Sequence, residues 1–298
     1  MNFAIIIFAD GVIYAANLFL LSVGMTMVYG VLRILNISHG AIFALGSYMA
    51  TSLALKVLAQ GYSPYITYPA LILGALIVGL TTGPIIERLF LRRIYGRPVA
   101  IQLILTFSIL LVLDDLMKMI WGTNPIFVSE PCTLLGEVSV GGIPYLSYNL
   151  LLVGISLFFG ALLFWIVNKT RLGKLIISVI SDSEISSAMG INVNRIYLIA
   201  FTIGALCASL GGALIAPTTA SVPGTALNVV SLSFAVIAIG GMGSIEGAAL
   251  GALIVGLSRA LCIHLFPELE LLSIYLIMVI ILFIRPQGLL GKVELRRI

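Results

Sequence analysis

Uninterrupted apolar runs, many close to the ~20 residues a helix needs to cross a bilayer's hydrocarbon, recur along the whole of this chain. Lipid offers no hydrogen bonds to a bare backbone, so such runs must fold as helices or as a closed barrel. Barrel strands would alternate apolar and polar residues over ~10 positions. These runs are continuously apolar, which makes them helices. Composition excludes a soluble domain: 60% of the residues are hydrophobic, 9% are charged and the mean hydropathy is +1.18. An ordinary soluble core is covered by a surface in which about a quarter of all residues carry charge. The expected fold class is an all-α polytopic membrane protein, a single transmembrane domain over residues 1–298.

Nine candidate spans are read at about 11–32, 40–60, 67–87, 98–121, 148–168, 196–217, 227–242, 249–266 and 271–285, or eight if one segment is re-entrant. The N-terminal Met1-Asn2-Phe3 lacks the basic start and cleavage site of a secretory signal, so the first segment is expected to be a retained span. Charge is clustered between the spans. Arg88, Arg92, Arg93 and Arg97 form one group, Lys169, Arg171, Lys174 and Arg195 a second, and Arg285, Lys292, Arg296 and Arg297 a third. The positive-inside rule puts all three in the cytoplasm. An even number of candidate spans separates each group from the next, so the three can share a side. That parity places the N-terminus outside and the C-terminus in the cytoplasm. The loop 122–147, with Glu130 and Glu137 and no Lys or Arg, then falls outside. An eight-span version breaks the parity unless the N-terminus flips.

No soluble-enzyme motif is present. Gly288-Leu-Leu-Gly-Lys292 is too short for a nucleotide-binding loop and is followed by Val293. His39 and His264 have no second ligand at metal spacing, and Cys132, Cys207 and Cys262 show neither metal spacing nor a pairing pattern. No cofactor and no nucleic-acid partner is expected, and any ATP hydrolysis must come from another chain. Asp114, Asp115 and Lys118 are read as a structural group pairing along one helix, and Arg259 as a side chain snorkelling toward the surface.

Two Gly-rich interruptions carry the functional signal. One is Asn36-Ile37-Ser38-His39-Gly40; the other is Gly240-Gly241-Met242-Gly243-Ser244-Ile245-Glu246-Gly247. Each opens a span rich in small residues, which let membrane helices approach closely. Interruptions at corresponding places in two halves point to a transporter's central site. A broken helix frees backbone donors, and its N-terminus favours a carboxylate. Asn36, Ser38, His39, Gly40, Gly241, Gly243 and Ser244 are therefore the candidate substrate-pathway residues. Either motif alone also reads as a polar turn between spans, and Glu246 also reads as a solvated loop carboxylate.

The segment 169–195 is the third feature. An amphipathic stretch runs from Thr170-Arg-Leu-Gly-Lys174 through Ser181, followed by Asp182-Ser-Glu-Ile-Ser-Ser-Ala-Met-Gly190. Ser181 with Glu184 fits a capping box, and Gly190 is a natural C-terminal stop. The implied helix of two turns is too short to hold in water unpacked. A partner surface would explain it, and the alternative is a helix resting on lipid headgroups.

Met27-Val28-Tyr29-Gly30 and Leu35-Asn36-Ile37-Ser38-His39-Gly40 are followed by Ile86-Glu87-Arg88 with Gly96-Arg97-Pro98, then Arg171-Leu172-Gly173 and Met189-Gly190-Ile191-Asn192. With the segment 240–248, and in this order and spacing, these pieces resemble the LivH-type permease subunits of ABC importers for branched-chain amino acids. The resemblance covers nearly the whole chain. It implies two permease subunits, two cytoplasmic ATPase subunits and an extracytoplasmic substrate-binding protein, in a bacterial-type inner membrane with lipid around the bundle. It also implies that 169–195 is the coupling segment that docks into the ATPase, through Arg171, Gly173, Asp182, Glu184, Ala188, Gly190, Asn192 and Arg195. Ile185, Ser186 and Ser187 stand where the family often has small alanines, and Glu246 where it often has Pro. Permeases for urea or short amides are similar, and a secondary transporter acting alone is the other alternative. That alternative would need mid-membrane carboxylates, of which this chain offers almost none.

Overall fold

A computed structural model describes residues 2–140 and 142–291. Eight helices in it are long and apolar enough to cross a membrane. They include α1 (Asn2–Leu32), α2 (His39–Ala59), α3 (Thr67–Leu89) and α4 (Val99–Trp121). A short α5 (Glu130–Thr133) and an antiparallel hairpin, β1 (Glu137–Val140) with β2 (Ile143–Leu146), fill the next loop; Glu137 sits opposite Leu146. This hairpin is the one departure from the all-α expectation among the described residues. Then come α6 (Ser147–Lys169), the short α7 (Arg171–Ser181) and α8 (Ser183–Ala188), α9 (Val193–Ile215), α10 (Thr225–Gly240), α11 (Ile245–Leu265) and α12 (Glu270–Ile284).

The candidate span at 227–242 is the one that falls short. Helix α10 has 16 residues, about 24 Å of helix against ~30 Å of hydrocarbon. The chain still crosses there, because the segment 216–224 completes the passage. Helix α9 ends beside α6, where the Tyr148 hydroxyl donates to the Leu214 carbonyl. The turn after α10 packs at the opposite end of the bundle, with Gly243 against Gly30 near the end of α1. Eight long helices and nine passages are therefore compatible.

Two faces result. One, the loop face, carries 122–147 and the C-terminal end of α11. There the Tyr145 hydroxyl donates to Asp10 at 3.0 Å and His264 pairs with the same carboxylate at 2.8 Å. The other, the basic face, carries the first two Arg/Lys groups. Tyr95 beside the first group meets Tyr197 beside the second, ring centroids 5.0 Å apart. Arg285 follows α12 on this face, where Leu289 and Leu290 donate their N–H groups to Ile239 and Gly240. Lys292, Arg296 and Arg297 lie outside the described residues.

Helix α9 is the hub, packed against α1, α2 and α3. Small residues make that possible. A Cβ on Gly212 would sit 2.0 Å from the Phe43 carbonyl oxygen, and one on Gly46 2.4 Å from that of Ser209. Outer helices show apolar side chains to their surroundings, as with Met119 on α4, Phe158 on α6 and Phe283 on α12. At the basic end of α3, Glu87 is buried and accepts a 2.9 Å hydrogen bond from the Tyr95 hydroxyl. Burial, and then the Glu87 carboxylate, push the Tyr95 phenol well above its ordinary range, so it remains a donor at physiological pH. Tyr95→Phe removes that donor from a buried acceptor and is expected to cost about 1–3 kcal/mol. The measurement is thermal unfolding in detergent; an unchanged midpoint would contradict it.

Candidate functional site

The site is built from two interrupted helices that enter the bundle from opposite faces. After α1 ends at Leu32, residues 33–38 turn back along it. Helix α2 restarts where His39 Nε2 lies 2.9 Å from the Leu21 carbonyl oxygen. A carbonyl only accepts, so Nε2 carries the proton. Leu21 lies about 16 Å of helix short of the end of α1, so α2 begins deep inside the bundle rather than at its surface. Asn36, Ser38 and His39 are all buried, with the Ser38 hydroxyl donating to Asn36 Oδ1 at 2.6 Å.

The second interruption runs the other way. From the end of α9, residues 216–224 fold back in from the loop face. Ser221 pairs with Ile126 through two backbone hydrogen bonds, and its hydroxyl lies 2.6 Å from that of Ser47 on α2. The Gly224 N–H donates to Asp114 at 2.9 Å, and Asp114 also pairs with Lys118 at 2.8 Å. Helix α10 starts at the next residue. Its first turn touches the first turn of α2: a Cβ on Gly40 would sit 2.1 Å from the Ala226 carbonyl oxygen. Two helix N-termini thus meet inside the bundle, each with backbone N–H groups that have no acceptor in their own helix and a partial positive charge.

The two segments expected to pair from the sequence are not brought together. Gly40 meets Ala226, whereas Gly241 packs against Gly288 and Gly291, and Gly243 against Gly30, on the basic face. The segment 241–244 is a turn that uses positive φ at Gly241 and Gly243. Its Ser244 caps α11, accepting from the Gly247 N–H at 3.0 Å and donating to Glu246 at 3.2 Å. The counterpart of 36–40 is 216–226. Its signal is Pro217 and Pro223, which disfavour a continuing helix, with Gly224 at φ +84°.

Beside this junction, on its loop-face side, lies a cavity of about 330 Å3 between α1, α2, 215–222 and α10. Arg259, near the outer end of α11, reaches its wall, and specific partners hold its side chain there. Its guanidinium stacks over the Tyr14 ring at 3.7 Å and is ion-paired with Glu270 through Nε at 2.6 Å. Long-range partners of this kind leave no mark in local spacing.

The segment 169–195 forms an elbow on the basic face. Thr170 caps α7 by accepting from the Gly173 N–H at 3.2 Å. Gly173 is required there, since a Cβ would sit 1.9 Å from the Val167 carbonyl oxygen. Gly173, Ile176 and Val179 form the buried stripe of α7. The cap of α8 is Asp182, not the expected Ser181: Asp182 Oδ1 accepts from the N–H groups of Glu184 and Ile185 at 3.0 and 2.9 Å, while Ser181 donates to Ile177 within α7. A carboxylate outcompetes a hydroxyl at a helix N-terminus because the dipole adds to the hydrogen bonds. Gly190 stops the elbow at φ +85°, and Asn192 caps α9 through the Arg195 N–H at 3.1 Å. Arg171, Glu184, Ala188, Gly190, Asn192 and Arg195 are exposed, as are Ile185 and Met189. Asp182→Ala is expected to cost α8 about 1 kcal/mol, read as faster hydrogen exchange at Glu184 and Ile185; unchanged exchange would contradict the cap.

A family model described as branched-chain amino acid transport system / permease component matches residues 7–282. The chain is 26% identical to the high-affinity branched-chain amino acid transport system permease protein LivH of Escherichia coli (strain K12), over 97% of this chain and 96% of that one. It is 29% identical to the corresponding permease protein BraD of Pseudomonas aeruginosa, again over 97% and 96%. Among solved structures, PsaBC from Streptococcus pneumoniae in complex with Fab is similar in fold, with a TM-score of 0.50 and 15% identity over 93% of this chain and 91% of that one.

Proposed function

The chain belongs to the branched-chain amino acid transport system / permease component family, and on that premise we propose that it imports branched-chain or similar hydrophobic amino acids as one permease of an ATP-driven complex. The observation that carries the energetic part is the α7–α8 elbow. It is held rigid by its own caps yet presents Ile185 and Met189 to solvent. Partner ATPases bind there, through the exposed residues of 169–195 and the two apolar side chains. A second permease subunit covers part of the outer apolar helices, and lipid covers the rest. An extracytoplasmic binding protein docks on the loop face.

The positive-inside rule supports this orientation, because Arg88, Arg92, Arg93, Arg97, Lys169, Arg171, Lys174 and Arg195 flank one end of the bundle. It makes that end cytoplasmic, with the N-terminus outside. The solute passes the junction of 36–40 with 216–226, where touching first turns can part or close. Gly241, Gly243 and Ser244 serve that path indirectly by fixing the α10–α11 turn. The chain does no covalent chemistry; it is driven between outward and inward states by what its partners bind.

The test is reconstitution in proteoliposomes of this chain with its partner permease, ATPases and binding protein. ATP-dependent accumulation of leucine, blocked by isoleucine and valine but not by urea or acetamide, is expected. Accumulation by this chain alone without ATP would overturn the reading in favour of a secondary transporter.

A further inference from the structure

We propose that the cavity of about 330 Å3 on the loop-face side of the helix junction is a solute subsite that holds a zwitterionic amino acid by its aliphatic side chain before the junction opens. This rests on the importer reading above. The volume lies at the small end of the roughly 300–1,000 Å3 usual for small-molecule sites, which suits a small solute. Its walls divide by chemistry. Leu18 and Leu21 from α1, Phe43 from α2, and Val229 and Leu232 from α10 form an apolar side. At the first turn of α10, Thr225 brings the helix N-terminus to the cavity, where first-turn N–H groups with no acceptor inside the helix and the dipole favour a carboxylate, as the Gly224 N–H already does for Asp114.

Two further polar groups call for a ligand independently of that helix end. The Tyr48 side chain lines the cavity and is 1% exposed, yet its hydroxyl has no hydrogen-bond partner among the described residues. Asn17 Oδ1, on the α1 wall, is likewise buried and unpartnered. An unsatisfied buried polar atom costs about 1–3 kcal/mol, so such atoms are kept where something polar comes to meet them. An amide oxygen only accepts, which suits a solute ammonium; a phenol both donates and accepts. Carboxylate to the α10 N-terminus, ammonium to Asn17, side chain to the Leu, Phe and Val wall: a branched aliphatic amino acid uses every part.

The experiment compares the whole reconstituted complex carrying Val229→Ala, Val229→Phe or no change, scored for ATP-dependent uptake of alanine, leucine and phenylalanine. Each uptake is divided by the wild-type value for the same solute, which cancels the binding protein's own preference. Enlarging the cavity with Val229→Ala is expected to raise phenylalanine relative to leucine at least about fivefold, and Val229→Phe to raise alanine relative to leucine by a similar factor. One methylene in an apolar pocket discriminates by about 10–200-fold at best. Should Val229→Phe fail to assemble, Leu232→Ala tests the same wall and is expected to act as Val229→Ala does. If the wild-type complex transports leucine but all ratios stay within about twofold of one, the subsite is overturned and the importer reading stands. If the wild-type complex transports none of the three, both fall.

Discussion

Gly40→Val is expected to abolish solute uptake while the protein still inserts and its partners still assemble. The reason is the contact that makes the junction. A Cβ at position 40 would lie 2.1 Å from the Ala226 carbonyl oxygen and 3.0 Å from the Val230 Cβ. The nearer atom is backbone, so no rotamer change relieves the clash. Helix α10 would have to move, yet its start is anchored by the Gly224–Asp114 hydrogen bond and, through Ser221, by Ser47. Overpacking of this kind costs about 1–3 kcal/mol or more, and here it falls on the two first turns proposed to close and part in transport. Gly154 on α6 is the control: a Cβ there meets nothing within 4 Å, so Gly154→Val should keep wild-type uptake. Proteoliposome uptake, normalised to inserted protein, measures both. Wild-type transport by Gly40→Val would mean that the two N-termini do not need to touch.

The long helices were legible because a bilayer-length apolar run has one solution in lipid. The short one was not. Residues 227–242 read as a span since α10 is as apolar as its neighbours; what shortens it is the re-entry of 216–224, and that re-entry is held by tertiary contacts. Pro217 and Pro223 are the local marks of that re-entry, and prolines between two spans mark an ordinary loop equally well. The Gly-rich 240–247 segment was more conspicuous and was paired with 36–40 by composition. Glycines serve two ends here, close approach at Gly40 and positive φ at Gly241 and Gly243, and composition does not separate them.

Charged residues inside the bundle show the same limit. The local pairing of Asp114 with Lys118 followed from i,i+4 spacing, and it is present. The bond from Gly224 to the same carboxylate spans 110 positions, and nothing in one sequence marks it. Arg259 with Glu270 and Tyr14 is a similar case. By contrast, the elbow was readable to within a residue, because caps and stops are written locally: Asp182 and Gly190 act on neighbours a few positions away. At the start of α8 the sequence offers both a Ser181–Glu184 capping box and the Asp182 charge facing the dipole, and it is Asp182 that supplies the cap.

The joint substitution Ile185→Asp and Met189→Asp is expected to lower ATP-dependent uptake by two orders of magnitude or more. These side chains are 61% and 77% exposed, Ile185 on α8 and Met189 at its C-cap; α8 is a helix of six residues that could not hold alone. It holds because Asp182 caps it, the Ser178 and Ser186 hydroxyls meet at 2.9 Å, and Gly190 ends it. That scaffold does not depend on Ile185 or Met189, so thermal unfolding of the isolated permease should be unchanged. Burying two such side chains against a partner contributes about 3–6 kcal/mol, or roughly two to four decades in affinity. Asp at both positions forfeits that and adds the cost of desolvating two charges. Pull-down of the ATPase should weaken in parallel with uptake, while ATP hydrolysis by the free ATPase is unaffected. Uptake and pull-down at wild-type levels would remove α8 from the ATPase contact. Uptake lost with pull-down intact would instead assign α8 to transmitting the stroke, with binding carried by the flanking Arg171 and Arg195.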